Sequence, residues 1–303
     1  LQIISYFCTT ANITCNILIP KNIMSVNYSI RFASHPHDFK LYDTERIRKE
    51  FLISGLFVPE TISMVYSMYD RFIVGGILPV SRKLKLETID PVKADFFLHR
   101  REIGIINVGG TGNIIVDSKL HTLKYKEALY IGSGDKEIFF SSEDKSSPAR
   151  FYFNSAPAHK AFPDKHVTLA DAQVVELGSL ATSNHRIINK LLVNEVIESS
   201  QLQMGMTELK TGSVWNTMPP HVHSRRMETY FYFEVPDEQA ISHFMGDPGE
   251  TRHIWIKNEE AILSPSWSIH AAAGTSNYTF IWGMAGENLD YADMDHLKIH
   301  DLK

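Results

Sequence analysis

Pro219-Pro220-His221-Val222-His223-Ser224-Arg225-Arg226-Met227-Glu228-Thr229-Tyr230-Phe231-Tyr232-Phe233 is the stretch whose reading decides the fold. Side chains two apart in a strand share a face, so His221 and His223 point the same way. A short turn then delivers Glu228 from the next strand. Imidazole and carboxylate donors converging from rigid strands are what a divalent first-row metal takes. A third imidazole, His270, ends the later run Glu260-Ala261-Ile262-Leu263-Ser264-Pro265-Ser266-Trp267-Ser268-Ile269-His270. The plainer alternative is two unrelated surface histidines beside an aromatic strand. His35-Pro36-His37 has the same spacing without a glutamate partner, so the spacing alone would not decide. The downstream histidine does.

These positions resemble the two motifs of the cupin superfamily, H-x-H-x(3,4)-E followed by P-x-G-x-x-H. His221, His223 and Glu228 match the first, and Pro265 and His270 match the second in spacing. Trp267 stands where glycine is usual, which leaves the ligand set intact but alters the turn. Three imidazoles and a carboxylate leave one or two exchangeable positions on an ion, the mark of a catalytic rather than a structural site. Zn(II), Fe(II), Mn(II) and Ni(II) all suit this donor set.

The rest of the chain limits the alternatives. Its 303 residues, 44% hydrophobic and 21% charged, are globular in composition and have room for two cores. No run of eighteen apolar residues proposes a membrane span. The net charge of −5 and the lack of a basic stripe argue against a nucleic-acid partner. Both cysteines, Cys8 and Cys15, precede Met24. Residues 1–23 lack a basic start and a clear cleavage site, and are read as an upstream or non-native leader. Without cysteine beyond it, the chain has no disulfide framework, and a cytoplasmic location is expected.

Along the chain, a short helix is predicted around Asp43–Phe51, then strands over Ile62–Met68, Phe72–Ile77 and Ile103–Val108. Glycine-rich turns such as Gly109-Gly110-Thr111-Gly112 and Gly132-Ser133-Gly134 separate strands at the rhythm of a sandwich or barrel. Val167–Leu177 reads as a helical connector stopped by Gly178. The two halves also echo each other. Glu127–Glu137 aligns without a gap on Glu260–His270, setting Gly132 on Pro265, Gly134 on Trp267 and Glu137 on His270. The expectation is an all-β bicupin, two duplicated double-stranded β-helix (jelly-roll) barrels with few short helices. The first, 24–165, is metal-free and the second, 166–303, binds the metal.

From about Arg48 to the end, the chain also resembles the 5-keto-4-deoxyuronate isomerases of pectin and glycosaminoglycan breakdown. The likeness is carried by Val74-Gly75-Gly76-Ile77, Arg100-Arg101-Glu102-Ile103-Gly104, Ala156-Pro157-Ala158-His159 and Trp215-Asn216-Thr217-Met218-Pro219. It continues in Arg225-Arg226-Met227-Glu228, Pro265–His270, Phe280-Ile281-Trp282-Gly283-Met284 and Asp293-Met294-Asp295-His296. The resemblance implies one Zn(II) per chain on His221, His223, Glu228 and His270, and a homohexamer. It implies ketol isomerisation of 5-dehydro-4-deoxy-D-glucuronate to 3-deoxy-D-glycero-2,5-hexodiulosonate through an enediol whose charge a Lewis acid stabilises. A cupin dioxygenase with Fe or Cu, or a non-catalytic sugar-binding bicupin, are the competing functions.

Such a small anionic keto-uronate needs a cationic partner for its carboxylate. Arg226 shares strand parity with Glu228, as do Tyr230 and Tyr232, so all three are candidate substrate contacts, and Trp282 is a candidate pocket wall. Arg226 capping a hairpin, and the aromatic residues filling the barrel, is the structural alternative. Glu228 is both ligand and candidate base, coordination alone being its simpler role. His99, His159 and His243 are read as structural.

Overall fold

The computed structural model describes residues 26–287 and 289–303; the expected leader at 1–23 lies outside them. The architecture is all-β and cupin-like, four sheets deep, with two short helices, α1 (Pro36–Phe39) and α2 (Thr44–Phe51). One seven-stranded sheet runs in the order β1 (Val26–Arg31), β3 (Thr61–Ser67), β4 (Ile73–Leu78), β11 (Phe151–Pro157), β6 (Arg101–Asn107), β9 (Ala128–Ile131), β12 (Lys165–Val167). A four-stranded sheet covers it in the order β5 (Leu84–Lys85), β10 (Ile138–Ser142), β7 (Gly112–Val116), β8 (Lys119–Leu123).

The later half repeats this plan. Its seven-stranded sheet runs β13 (Gln173–Leu177), β14 (Arg186–Leu192), β15 (Gln203–Leu209), β23 (Thr279–Gly286), β18 (Arg226–Phe233), β21 (Glu260–Ser264), β2 (Leu52–Ile53). Its four-stranded sheet runs β16 (Trp215–Asn216), β22 (Ile269–Gly274), β19 (Ile241–Asp247), β20 (Glu250–Ile256). A two-stranded rim joins β17 (His221–Val222) to β24 (Asp295–His296). Strand for strand, β9 holds the place of β21, and β10 that of β22.

Strand alternation sorts the side chains into three cores. On β11, Phe151 and Phe153 face the interior of the first sandwich, whereas Tyr152 faces the other large sheet. On β18, Tyr230 and Tyr232 face the interior of the second sandwich, and Phe231 and Phe233 face back toward the first. Tyr152 and Phe231 stack with ring centroids 4.4 Å apart, so the two seven-stranded sheets lie back to back. Being buried on both faces, they need the near-continuous apolar runs seen in their sequences.

The predicted strands and the first helix form within a residue or two of their expected bounds. Asp43 caps α2, its carboxylate accepting from Arg46 N at 2.8 Å. The helix expected over Val167–Leu177 does not form; β12 ends at Val167 and β13 begins at Gln173. Between them the Asp171 carboxylate accepts from Thr168 N and Oγ1, closing a single turn that the chain leaves as a strand rather than continuing as a helix. The β-branched pair Val174-Val175 then pairs with Asn189 and Ile188 at a sheet edge. Gly178 still ends the element, with φ +77° after a strand rather than a helix. The segment 36–53, expected in the first barrel, packs on the second sandwich, where β2 pairs with β21 and both helices lie against its strands. Among the described residues, no helix is long and apolar enough to cross a membrane.

Candidate metal centre

Three elements at one end of the second sandwich supply the cluster. The rim strand β17 carries His221, with His223 just beyond it; β18 carries Glu228, and β22 on the facing sheet carries His270. The turn before β22 is fixed by Ser268 N donating to Pro265 O at 2.9 Å. Trp267, in place of the usual glycine, turns outward onto Phe39 and Phe51 of the two helices, with centroids 5.2 and 6.4 Å away. The substitution therefore ties the loop behind His270 to the helical cover and leaves the ligand in place.

All four side chains are buried, and their ligand atoms lie within 4.8 Å of one another. His221 Nε2 is 3.1 Å from His223 Nε2 and 2.9 Å from His270 Nε2. Glu228 Oε2 is 3.0 Å from His223 Nε2 and 3.2 Å from His270 Nε2. Adjacent donors held about 2.1 Å from an ion and at right angles would be about 3.0 Å apart. Among the described residues this is the one group of three or more His, Cys, Asp or Glu with such convergence.

The surroundings set the tautomers. His223 Nδ1 lies 2.9 Å from Asp293 O, an oxygen that only accepts, so Nδ1 carries the proton and Nε2 presents its lone pair to the cluster. The Arg226 Nε approach to the same Nδ1 at 3.3 Å is then a contact without a shared proton. Ser264 Oγ stands 3.2 Å from His270 Nδ1 and orients that ring alike.

Burial presses the His221 imidazolium pKa down to about 4 and that of His270 well below the ordinary value, with neighbouring imidazoles adding to both. Burial alone would raise the Glu228 carboxyl, but the Arg226 guanidinium and the neighbouring imidazoles bring it below the ordinary value. Neutral imidazole lone pairs meeting at about 3 Å repel unless a cation lies between them, and a proton is disfavoured there. The residues present fit a divalent ion.

A cavity of about 430 Å³ opens beside the cluster, with His221, His223 and Glu228 in its wall. Tyr230 and Trp282 also line it, as the sequence suggests. Burial and the Glu228 charge hold the Tyr230 phenol well above its ordinary pKa, so it stays a hydroxyl. Tyr232, expected beside it, lies one row deeper and outside the lining, its hydroxyl 2.7 Å from His243 Nδ1. His243 is fully buried and structural, as read.

Arg226 reaches the wall but not as a free cation. Its Nη1 donates to Asp290 O at 2.8 Å, and its Nη2 to Tyr291 O and Asp293 O at 3.0 and 3.1 Å. The expected substrate clamp is instead a tether for the segment 289–297, which folds over the cluster and pairs His296 with His221. Strand parity was right about its direction; the carbonyls that it meets come from a loop sixty residues on. Sequence reasoning passed over Arg186 and Lys190, which line the cavity from β14. Their spacing of four on an alternating strand was the available signal.

Residues 59–299 match the KduI/IolB family. The 4-deoxy-L-threo-5-hexosulose-uronate ketol-isomerase 1 of Bacteroides thetaiotaomicron is 64% identical over 280 residues, 92% of this chain and all of that one. Ketol-isomerases of the same name from Bacteroides fragilis and Formosa agariphila are 62% and 57% identical, each over 92% of this chain and all of theirs. Among solved structures, an IolB-like protein from Salmonella typhimurium LT2 superposes with TM-score 0.59 at 14% identity, over 75% of this chain and 86% of that one. A Bacillus subtilis oxalate decarboxylase with Mn(II) centres follows at TM-score 0.52 and 10% identity, over 74% and 71%. At such identities the structural likenesses speak to the fold.

Proposed function

The chain belongs to the KduI/IolB family, and on that premise we propose that it is the ketol isomerase of pectin and uronate breakdown. It converts 5-dehydro-4-deoxy-D-glucuronate, the compound also called 4-deoxy-L-threo-5-hexosulose-uronate, to 3-deoxy-D-glycero-2,5-hexodiulosonate. The observation that carries the reading is the buried three-histidine, one-glutamate cluster opening on a cavity whose wall holds cations. The reaction takes a proton from C2 of the aldehyde form and returns one to C1, while the O2 hydroxyl proton passes to O1, leaving the carbonyl on C2. When bound by His221, His223, Glu228 and His270, the ion supplies a Lewis acid for the charge that builds on the adjacent oxygens.

The protein's own groups do the rest. Glu228 is the one carboxylate in the cavity wall, and it is the group assigned to carry the proton. Tyr230 and Trp282 wall the substrate, and the Tyr230 hydroxyl, held protonated, donates a hydrogen bond without competing as a base.

One Zn(II) per chain is the assigned ion. Two duplicated cupin barrels, 24–165 and 166–303, are assigned with the metal only in the second. The matched strand orders support the duplication, and Glu137, where the second half has His270, is an exposed partner of Lys85. A homohexamer in the cytoplasm completes the reading; the apolar edge strand side chains Tyr28, Ile30 and Val174 are exposed, as a further subunit contact requires.

The test is direct. Purified protein loaded with zinc should convert the keto-uronate without O₂ uptake, lose activity on chelation and regain it with zinc. His221→Ala and His270→Ala should lose the ion and the activity together. Uptake of O₂ with a cupin-dioxygenase substrate, and an untouched keto-uronate, would replace this reading with the oxygenase. Neither activity would leave a non-catalytic sugar-binding bicupin.

A further inference from the structure

Arg226 being committed to backbone carbonyls, the substrate's carboxylate requires another partner. Strand β14 supplies one. Arg186, Ile188 and Lys190 alternate onto the face that lines the cavity, while Asn189 turns away to Glu208. Arg186 is 6% exposed, its Nη1 donates to Asn184 O at 2.9 Å, and its buried Nε has no partner. A guanidinium N–H left unpaired in a cavity wall is costly unless a ligand meets it. The Lys190 ammonium lies 4.0 Å from the centroid of the Tyr291 ring and, among the described residues, has no hydrogen bond or ion pair.

The neighbouring strands keep the way open between these cations and the metal ligands. Lys190 pairs with Gly205, Gly205 with Trp282 and Trp282 with Tyr230, two residue pairs along from Glu228 and on the same face. A Cβ at Gly205 would sit 2.2 Å from Trp282 Cζ2, so the bare backbone there makes room for the indole that walls the path. Glu228, at the metal end, is the single carboxylate lining the cavity, and nothing in the wall neutralises the far end. Excess positive charge in a low-dielectric cavity selects an anion.

We propose that Arg186 and Lys190 form the anion-binding end of the cavity and hold the C6 carboxylate of the uronate while C1 and C2 lie at the metal ligands. The sugar's C2–C6 chain spans about 5 Å, and its reach is extended at both ends by side chains, since Arg186, Lys190, His221, His223 and Glu228 all line this one cavity. Arg186 gives the planar fork, using the free Nε–H, and Lys190 gives a point charge. The two ends together fix which way round the sugar enters: carboxylate toward β14, aldehyde toward β17. The substrate's identity rests on the isomerase reading; the carboxylate site does not.

The experiment therefore separates the two. Calorimetry on the zinc-loaded protein compares D-glucuronate with its uncharged amide, and steady-state kinetics follow the keto-uronate. Wild type should bind glucuronate at least about tenfold more tightly than the amide, as expected for hydrogen bonds to a charged group. Lys190→Met and Arg186→Met should each lose most of that preference and raise KM about 10- to 100-fold, with kcat within a few-fold and one zinc per chain retained. Arg186→Lys should recover part of it.

Should Arg186→Met fail to fold, Lys190→Met with an unchanged Tm makes the same test. A wild type without preference for the charged sugar, or variants that keep it, would overturn the proposal. A wild type that prefers glucuronate through these residues yet leaves the keto-uronate untouched would uphold the carboxylate site and sink the isomerase reading.

Discussion

Replacing Arg226 by Met keeps the aliphatic stem in the core and removes only the guanidinium. Three bonds are lost at once, to the carbonyls of Asp290, Tyr291 and Asp293. A hydrogen bond from a charged donor contributes about 1.5–3 kcal/mol, but bonds sharing one side chain do not add fully. A loss of about 3–5 kcal/mol from the closed state of the 289–297 segment is expected, the range for breaking a buried charged network. The segment would not leave altogether. Leu297 N still donates to Pro220 O at 2.9 Å, and Ser224 Oγ to Asp295 Oδ2 at 2.8 Å. What loosens is Asp293 O, the acceptor that fixes the His223 ring.

Loss of such an outer partner typically weakens metal binding about 10- to 100-fold. Zinc competition against a chromophoric chelator measures the affinity, and hydrogen exchange across 289–297 measures the opening. Both should move together in Arg226→Met. A zinc affinity within twofold of wild type, unchanged exchange and a raised KM alone would refute the tether and restore Arg226 as the carboxylate clamp that the sequence suggests.

Gly205→Ala should push the Trp282 indole from the cavity wall, costing about 1–3 kcal/mol in denaturant unfolding and lowering activity; an unchanged midpoint would contradict the close approach. Trp267→Ala should cost about 1–3 kcal/mol by emptying the contact with Phe39 and Phe51, since Trp267 is only partly buried, while leaving metal content in metal analysis unchanged. His243, fully buried, has its pKa pressed by burial from 6.5 to about 3. The folded state refuses a proton that the unfolded chain accepts, so stability is retained above about pH 6.5 and lost as pH falls, by about 1.4 kcal/mol per unit until pH 3. Denaturant titrations of metal-free wild type and His243→Gln between pH 7 and 4 should therefore diverge by that slope; parallel curves would show that His243 does not titrate.

The cluster was legible because each of its residues follows a local rule. His221 and His223 share a strand face, Glu228 follows a turn, and His270 ends a run spaced like the first half's Glu127–Glu137. α2 is local in the same way, its Asp43 cap being a short-range bond. What the sequence hid depends on distant partners. Arg226 points where parity sends it, but a loop from 290 onward takes its donors. Tyr230 and Tyr232 share a face, yet only the first reaches the cavity, because the other sits under a histidine from β19. Val174-Val175 read as helix until Thr168 and Asp171 are seen to close a turn and β14 to offer an edge.

The strand exchange at β2 sets a timetable for synthesis. Leu52 pairs with Ile262, made roughly two hundred residues later, which at ribosomal speeds is a delay of about 10–40 s. During that interval Phe39 and Phe51 lack most of the apolar partners of their core, which come from the later half, Tyr69 being an early residue packed against it. The early half can assemble its sandwich behind the ribosome, but the helical segment must stay undocked until the last strands emerge. Nascent chains stalled before residue 260 should thus leave α1 and α2 open to protease, and a chaperone that shields short aromatic segments would find its target there rather than in the sheets.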